Sequence, residues 1–78
     1  MGKYDGLRRY LRRKREPETE LTFNDIERMI GALLPKAAGD RQWWTGEPDA
    51  AVQRIAWRAA GYDAALLGQD RVVFRRRA

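Results

Sequence analysis

A chain of 78 residues that contains neither cysteine nor histidine has no staple available to it. No disulfide can close it, and no zinc site of the usual Cys/His kind can nucleate it. The fold must rest on apolar packing alone, and a chain this short buries only about 60% of the surface its unfolded form exposes. The same absences narrow the chemistry. Histidine-assisted nucleophilic catalysis is excluded, and a thin core leaves little room for a deep, supported pocket. The expectation is a single domain over residues 1–78 that is not an enzyme, requires no cofactor or metal, and takes no small-molecule substrate.

No apolar run approaches the ~20 residues of a membrane span. Met1-Gly2-Lys3-Tyr4-Asp5 is not followed by the apolar stretch of a signal peptide, and Gly6 stands where a myristoylation signal carries Ser or Thr. A membrane partner is not expected, and a cytoplasmic location fits the lack of cysteine.

The punctuation of the chain divides it into elements. Tyr4, Leu7 and Leu11 recur at helical spacing and predict a first helix over Tyr4–Arg15, stopped by Glu16-Pro17-Glu18. Leu21-Thr22-Phe23 reads as a short strand, with Leu21 and Phe23 on one side. The acidic residues before it, Glu16, Glu18 and Glu20, read as a solubilising linker. Asn24 reads as an N-cap with Glu27 in the capping-box position, opening a second helix over Asp25–Ile30 that ends at Gly31. Leu33 and Leu34 anchor a turn, Pro35 starts a single helical turn, and Gly39 to Gly46 reads as irregular. Pro48 and Asp49 mark the start of a third helix running to Ala60, with Val52, Ile55, Ala56 and Ala59 as its core stripe. Tyr62–Leu67 and Arg71–Arg75 bracket Gly68-Gln69-Asp70, a hairpin signal. The predicted core holds Leu7, Leu11, Phe23, Ile26, Ile30, Leu34, Ile55 and Phe74.

The resulting fold class is α+β, winged helix-turn-helix-like, in the order α-β-α-α-β-β with a small antiparallel sheet. One misfit stands out: the Gly31–Pro48 connection is far longer than the turn of a helix-turn-helix unit.

Charge supplies the functional expectation. Lys and Arg number 16 against 11 acidic residues, a formal net charge of +5, and all but three of the cations are arginine. Arginine's planar fork suits phosphate, so the expected partner is DNA. A recognition helix would show Gln53, Arg54 and Arg58 to base edges. Gln69 and Arg71 would form the wing, and Arg9, Arg12 and Arg13 would hold phosphates. For the arginine run of the first helix, a solvated face favoured by the helix dipole is the competing reading.

Arg41-Gln42-Trp43-Trp44 has two readings: a stacking platform beside a phosphate-binding arginine, or a tryptophan pair closing the core. Trp57 lies opposite the expected apolar stripe. It is either an exposed interface residue or, if the helix rolls, a partner packed beneath Trp43 or Trp44. The exposed case gives the alternative function, a protein-interaction or homodimerisation module built on Trp57 and the Trp43-Trp44 loop.

The chain also resembles a small uncharacterised bacterial domain family. The residues that carry the resemblance are Lys3-Tyr4-Asp5 with Leu7, Leu21-Thr22-Phe23, Ile26-Glu27, Leu34-Pro35, Trp43-Trp44, Ala56-Trp57, Ala60-Gly61-Tyr62 and the Val72–Arg75 strand. It departs from the pattern at Gly6, where the family has proline. The resemblance implies a free-standing folding unit and brings no established activity with it.

Overall fold

The computed structural model describes residues 2–14, 16–45 and 52–77. The elements run α1 (Asp5–Arg13), β1 (Glu18–Thr22), α2 (Phe23–Ile30), a 3₁₀ turn (Lys36–Gly39), α3 (Arg41–Thr45), α4 (Val52–Ala59), β2 (Tyr62–Leu67) and β3 (Arg71–Arg76). The α+β, α-β-α-α-β-β order expected from the sequence is present, with α3 as an addition. The three strands form an antiparallel sheet in the order β1-β3-β2. No described helix is long and apolar enough to cross a membrane.

Strand β1 begins three residues earlier than the apolar run suggested. It spans Glu18–Thr22, so Glu18 and Glu20 are strand residues and not linker. Alternation then buries Thr19 and Leu21 and turns the glutamates outward. On that outer face Glu18 meets Arg75 at 2.8 Å and Glu20 meets Arg71 at 3.2 Å, so the acidic residues of the strand stand opposite cations across the sheet.

Phe23 is not in the strand. It opens α2, and its N–H donates to Asp70 O at 2.8 Å, fastening the hairpin turn to the start of the helix. The N-cap is therefore Thr22, not Asn24. Thr22 Oγ1 accepts from Asp25 N, and an Asp25 carboxylate oxygen accepts from Thr22 N, both at 3.1 Å. These hydrogen bonds hold the Asp25 carboxyl below the usual carboxylate range. Glu27, released from capping, accepts from Leu34 N at 2.9 Å and ties down the chain after α2. Gly31 ends α2 in the left-handed conformation, with φ of 69°. Only one of the two leucines that follow is an anchor. Leu34 is half-buried against the core, whereas Leu33 is 78% exposed.

The segment expected to be irregular is ordered by its tryptophans. Trp44 Nε1 donates to Ala38 O at 2.7 Å, joining α3 to the 3₁₀ turn. Trp44 stacks on Trp57 with centroids 5.2 Å apart, and Trp43, Phe23 and Phe74 pack around the pair. Trp43 also meets Tyr4 edge-on at 6.1 Å, which brings the start of α1 into the cluster.

Helix α4 is rolled relative to the expected stripe. Trp57 is fully buried, and Gln53, Ala56 and Trp57 face inward with Ala60 just beyond the helix end. Ile55 is 54% exposed and Ala59 is also outside. An indole buries far more area than an isoleucine side chain, so the phase that buries Trp57 wins even though it carries Gln53 inward. The side chain of Val52, the expected helix start at Pro48 and Asp49, and Arg15 lie outside the described residues.

Of the predicted core, Leu7, Leu11, Ile26 and Phe74 are fully buried. Phe23, Ile30 and Leu34 are only partly so, packed on its margin. Tyr62, also in the core, fixes the sheet to the end of α1: its hydroxyl lies 3.1 Å from the carbonyl oxygens of both Lys14 and Glu16, to which it donates.

Candidate nucleic-acid interface

The roll of α4 changes what its polar residues can do. Gln53 is buried, and its side-chain amide donates to Trp43 O at 3.3 Å. Arg54 Nε donates to the same carbonyl at 3.3 Å, and an Arg54 terminal nitrogen donates to Gln42 O at 2.8 Å. Those carbonyls belong to α3, a five-residue helix whose last carbonyls have no partner within it. Gln53 and Arg54 therefore cap the C-terminal end of α3, with the arginine charge placed where the helix dipole favours it. Neither stands ready to read base edges, which corrects the expectation of a recognition helix built on them.

Arg58, the third expected reader, is half-buried. It lies 3.5 Å from Asp63 in an ion pair that lacks hydrogen-bond geometry. Asp63 also meets Arg77 at 3.6 Å.

Two of the three tryptophans are internal. Trp44 and Trp57 are core residues, so neither can stack on a base or form an interface by itself. Trp43 is half-buried at the margin of the same cluster. Trp57 Nε1 is buried with no hydrogen-bond partner among the described residues.

The hairpin turn stands in solvent, with Gln69 and the neighbouring Arg71 exposed. Its charge is mixed. Asp70 sits at the turn and Arg71 is paired with Glu20. Both members of that pair are well exposed, so the pair is worth little and a stronger anion can displace it. Arg41 and Gln42 are exposed on α3.

Helix α1 presents the cleanest cationic surface. Tyr4, Leu7 and Leu11 are buried against the core. Arg9, Arg12 and Arg13, at i, i+3 and i+4, are exposed together on another face and carry no ion pair among the described residues. Arg8 and Lys14 flank them, paired with Asp5 at 3.5 Å and Glu16 at 3.6 Å. Lys14 also lies over the Tyr10 ring at 5.1 Å from its centroid. Hydrogen bonding to Tyr10, with the nearby Glu16 carboxylate reinforcing it, raises the pKa of Lys14.

Sequence reasoning missed three residues beside this face: Gly6, Tyr10 and Met29. Gly6, Arg9, Tyr10 and Arg13 stand at i, i+3, i+4 and i+7, a spacing that marks one helical face and could have found Gly6 and Tyr10; Met29 joins them only through the packing of α2. Gly6 is where α1 touches α2, since a Cβ there would collide with the carbonyl oxygen of Met29.

This arrangement sits on nearly the whole of a shared domain pattern. The chain belongs to the family described as Domain of unknown function (DUF7662), matched over residues 4–78. No curated protein and no solved structure matches it.

Proposed function

We propose that this protein is a nucleic-acid-binding module that engages duplex DNA chiefly through the phosphate backbone, using the arginine face of α1. The observation behind this reading is the set Arg9, Arg12 and Arg13, exposed on one helical face without carboxylate partners among the described residues. Four arginines elsewhere are already matched: Arg58 and Arg77 by Asp63, Arg71 by Glu20, and Arg75 by Glu18. Helix α1 itself carries four arginines against one aspartate. Phosphate contacts position a protein without reading sequence, and the inward turn of Gln53 and Arg54 removes the best candidates for base readout. The expected binding is therefore weakly sequence-dependent and strongly salt-dependent. The hairpin turn, with Gln69 and Arg71, is a second contact, and its ion pair to Glu20 opens as phosphate approaches.

A titration with duplex DNA, single-stranded DNA and RNA at two salt concentrations tests this. Duplex binding that weakens steeply with salt and falls on Arg12→Ala supports it. No duplex binding even at low salt removes it.

A second reading, self-association, has one observation in its favour. Ile55 stands 54% exposed on α4 with Ala59 beside it. Trp57 and Trp44 cannot carry such an interface, because both are internal. Sedimentation of wild type and Ile55→Glu distinguishes the two: a concentration-dependent dimer abolished by the substitution supports this reading.

A further inference from the structure

Beside the arginine face, α1 and α2 enclose a shallow groove of about 290 Å³, lined by Gly6, Arg9, Tyr10, Arg13 and Met29. Its origin is local. Because Gly6 has no side chain, the two helices touch backbone to backbone. The next turn of α1 then brings Arg9, Tyr10 and Arg13 to the same side. The walls are of two kinds. Tyr10 and Met29 are half-buried and pack on the core, so the groove has an apolar flank already screened from water. Arg9 and Arg13 stand one helical turn apart at its rim, and among the described residues no carboxylate lines it. The Lys14 ammonium, over the Tyr10 ring, adds a third cation nearby, shared with Glu16.

We propose that this groove takes one unstacked nucleotide, with the base against Tyr10 and Met29 and the phosphate between Arg9 and Arg13. The proposal rests on the reading that α1 meets nucleic-acid phosphates, and it extends that reading from charge to shape. A ligand matching both walls must join a flat apolar ring to an anion a few bonds away, and a nucleotide does so. Aromatic and apolar side chains hold unpaired bases by stacking and apolar contact, which tolerates any sequence. A base inside a duplex is stacked on its neighbours and offers the groove no face, so an intact duplex reaches only the rim arginines. The groove, at about 290 Å³, lies just below the usual range for ligand sites, about 300–1,000 Å³, so it has room for no more than one nucleotide. The consequence is a preference for DNA with an unpaired end over blunt duplex.

The test compares a fluorescent blunt duplex with the same duplex carrying a short single-stranded extension. Anisotropy is read at fixed low salt for wild type, Tyr10→Leu and Met29→Gln, with circular dichroism confirming that each variant is folded. The extended duplex should bind about tenfold tighter than the blunt one, the size of one stacked base. Tyr10→Leu should erase that advantage and leave blunt-duplex binding unchanged. Met29→Gln, which removes the apolar wall without adding charge beside the rim arginines, should erase it independently and decides the matter if Tyr10→Leu does not fold. Equal binding of the two duplexes by wild type overturns the groove proposal while the arginine face stands. So does an equal loss on both duplexes in the variants. No binding of either duplex at low salt overturns both readings together.

Discussion

Replacing Trp57 and Ile55 by alanine, one at a time, should produce opposite results from those the apolar pattern of the sequence suggests. Trp57 is fully buried, stacked on Trp44 at 5.2 Å and packed edge-on against Phe74 at 5.9 Å. Truncation leaves a large cavity, and Trp→Ala changes of this kind cost about 3–5 kcal/mol. A domain of this length has only about 4–12 kcal/mol in total, at roughly 0.05–0.15 kcal/mol per residue. Trp57→Ala should therefore remove a large share of the stability, up to the whole of it. Trp57→Phe should cost much less. It keeps a ring against Trp44, and it deletes an indole N–H that has no partner among the described residues, a liability of about 1–3 kcal/mol. Ile55→Ala should fall within about 0.5 kcal/mol of wild type, as surface substitutions do. Urea denaturation followed by far-UV circular dichroism measures all three without depending on the indole signal. A cost above about 2 kcal/mol for Ile55→Ala, the range of core isoleucines, would show that α4 is rolled the other way. A negligible cost for Trp57→Ala would show the same.

Three further perturbations address other joints of the fold. Gly6→Ala should destabilise by about 1–3 kcal/mol through the clash with Met29 O, although alanine is the better helix former; a stabilised variant in chemical denaturation would mean that α1 and α2 stand further apart. Tyr62→Phe should cost about 0.5–1.5 kcal/mol through the lost hydroxyl bond to the Lys14 and Glu16 carbonyls, with faster amide exchange at the end of α1 as its signature. Because the folded Asp25 carboxyl titrates below its unfolded value, its contribution to stability is present above the unfolded pKa and is lost as pH falls through the folded one; Asp25→Asn should flatten the acid limb of the stability–pH curve, and an unchanged limb would remove the capping box from the account.

Much of the fold was legible because local signals agreed with one another. The α1 stripe of Leu7 and Leu11, the left-handed cap at Gly31, the Pro35 turn and the hairpin around Gly68–Asp70 each follow from neighbours in sequence, and each is present. The failures arose where tertiary packing decided the outcome. The phase of α4 depends on Trp44 and Trp57 finding each other, and a stripe of Val52, Ile55 and Ala59 looks better only if side-chain size is ignored. With that phase wrong, Gln53 and Arg54 read as outward when they cap α3. Strand β1 was shortened because its outward glutamates look like linker until Arg71 and Arg75 are placed opposite them. Of the candidate site, Arg9, Arg12 and Arg13 were visible by helical phase. The groove beside them was not, because it needs α2 brought against Gly6.

The claim that the arginine face of α1 holds phosphates is tested most directly by the salt dependence of duplex binding, compared between wild type and the triple variant Arg9→Ala/Arg12→Ala/Arg13→Ala. Each phosphate contact contributes about 0.9 to the slope of log K against log salt. If all three arginines make contacts, the variant's slope should be shallower by about 2.7, with unchanged circular dichroism and weaker binding to every duplex sequence alike. A variant that binds with the wild-type slope would contradict the account, as would a wild-type protein that fails to bind duplex DNA at the lowest salt.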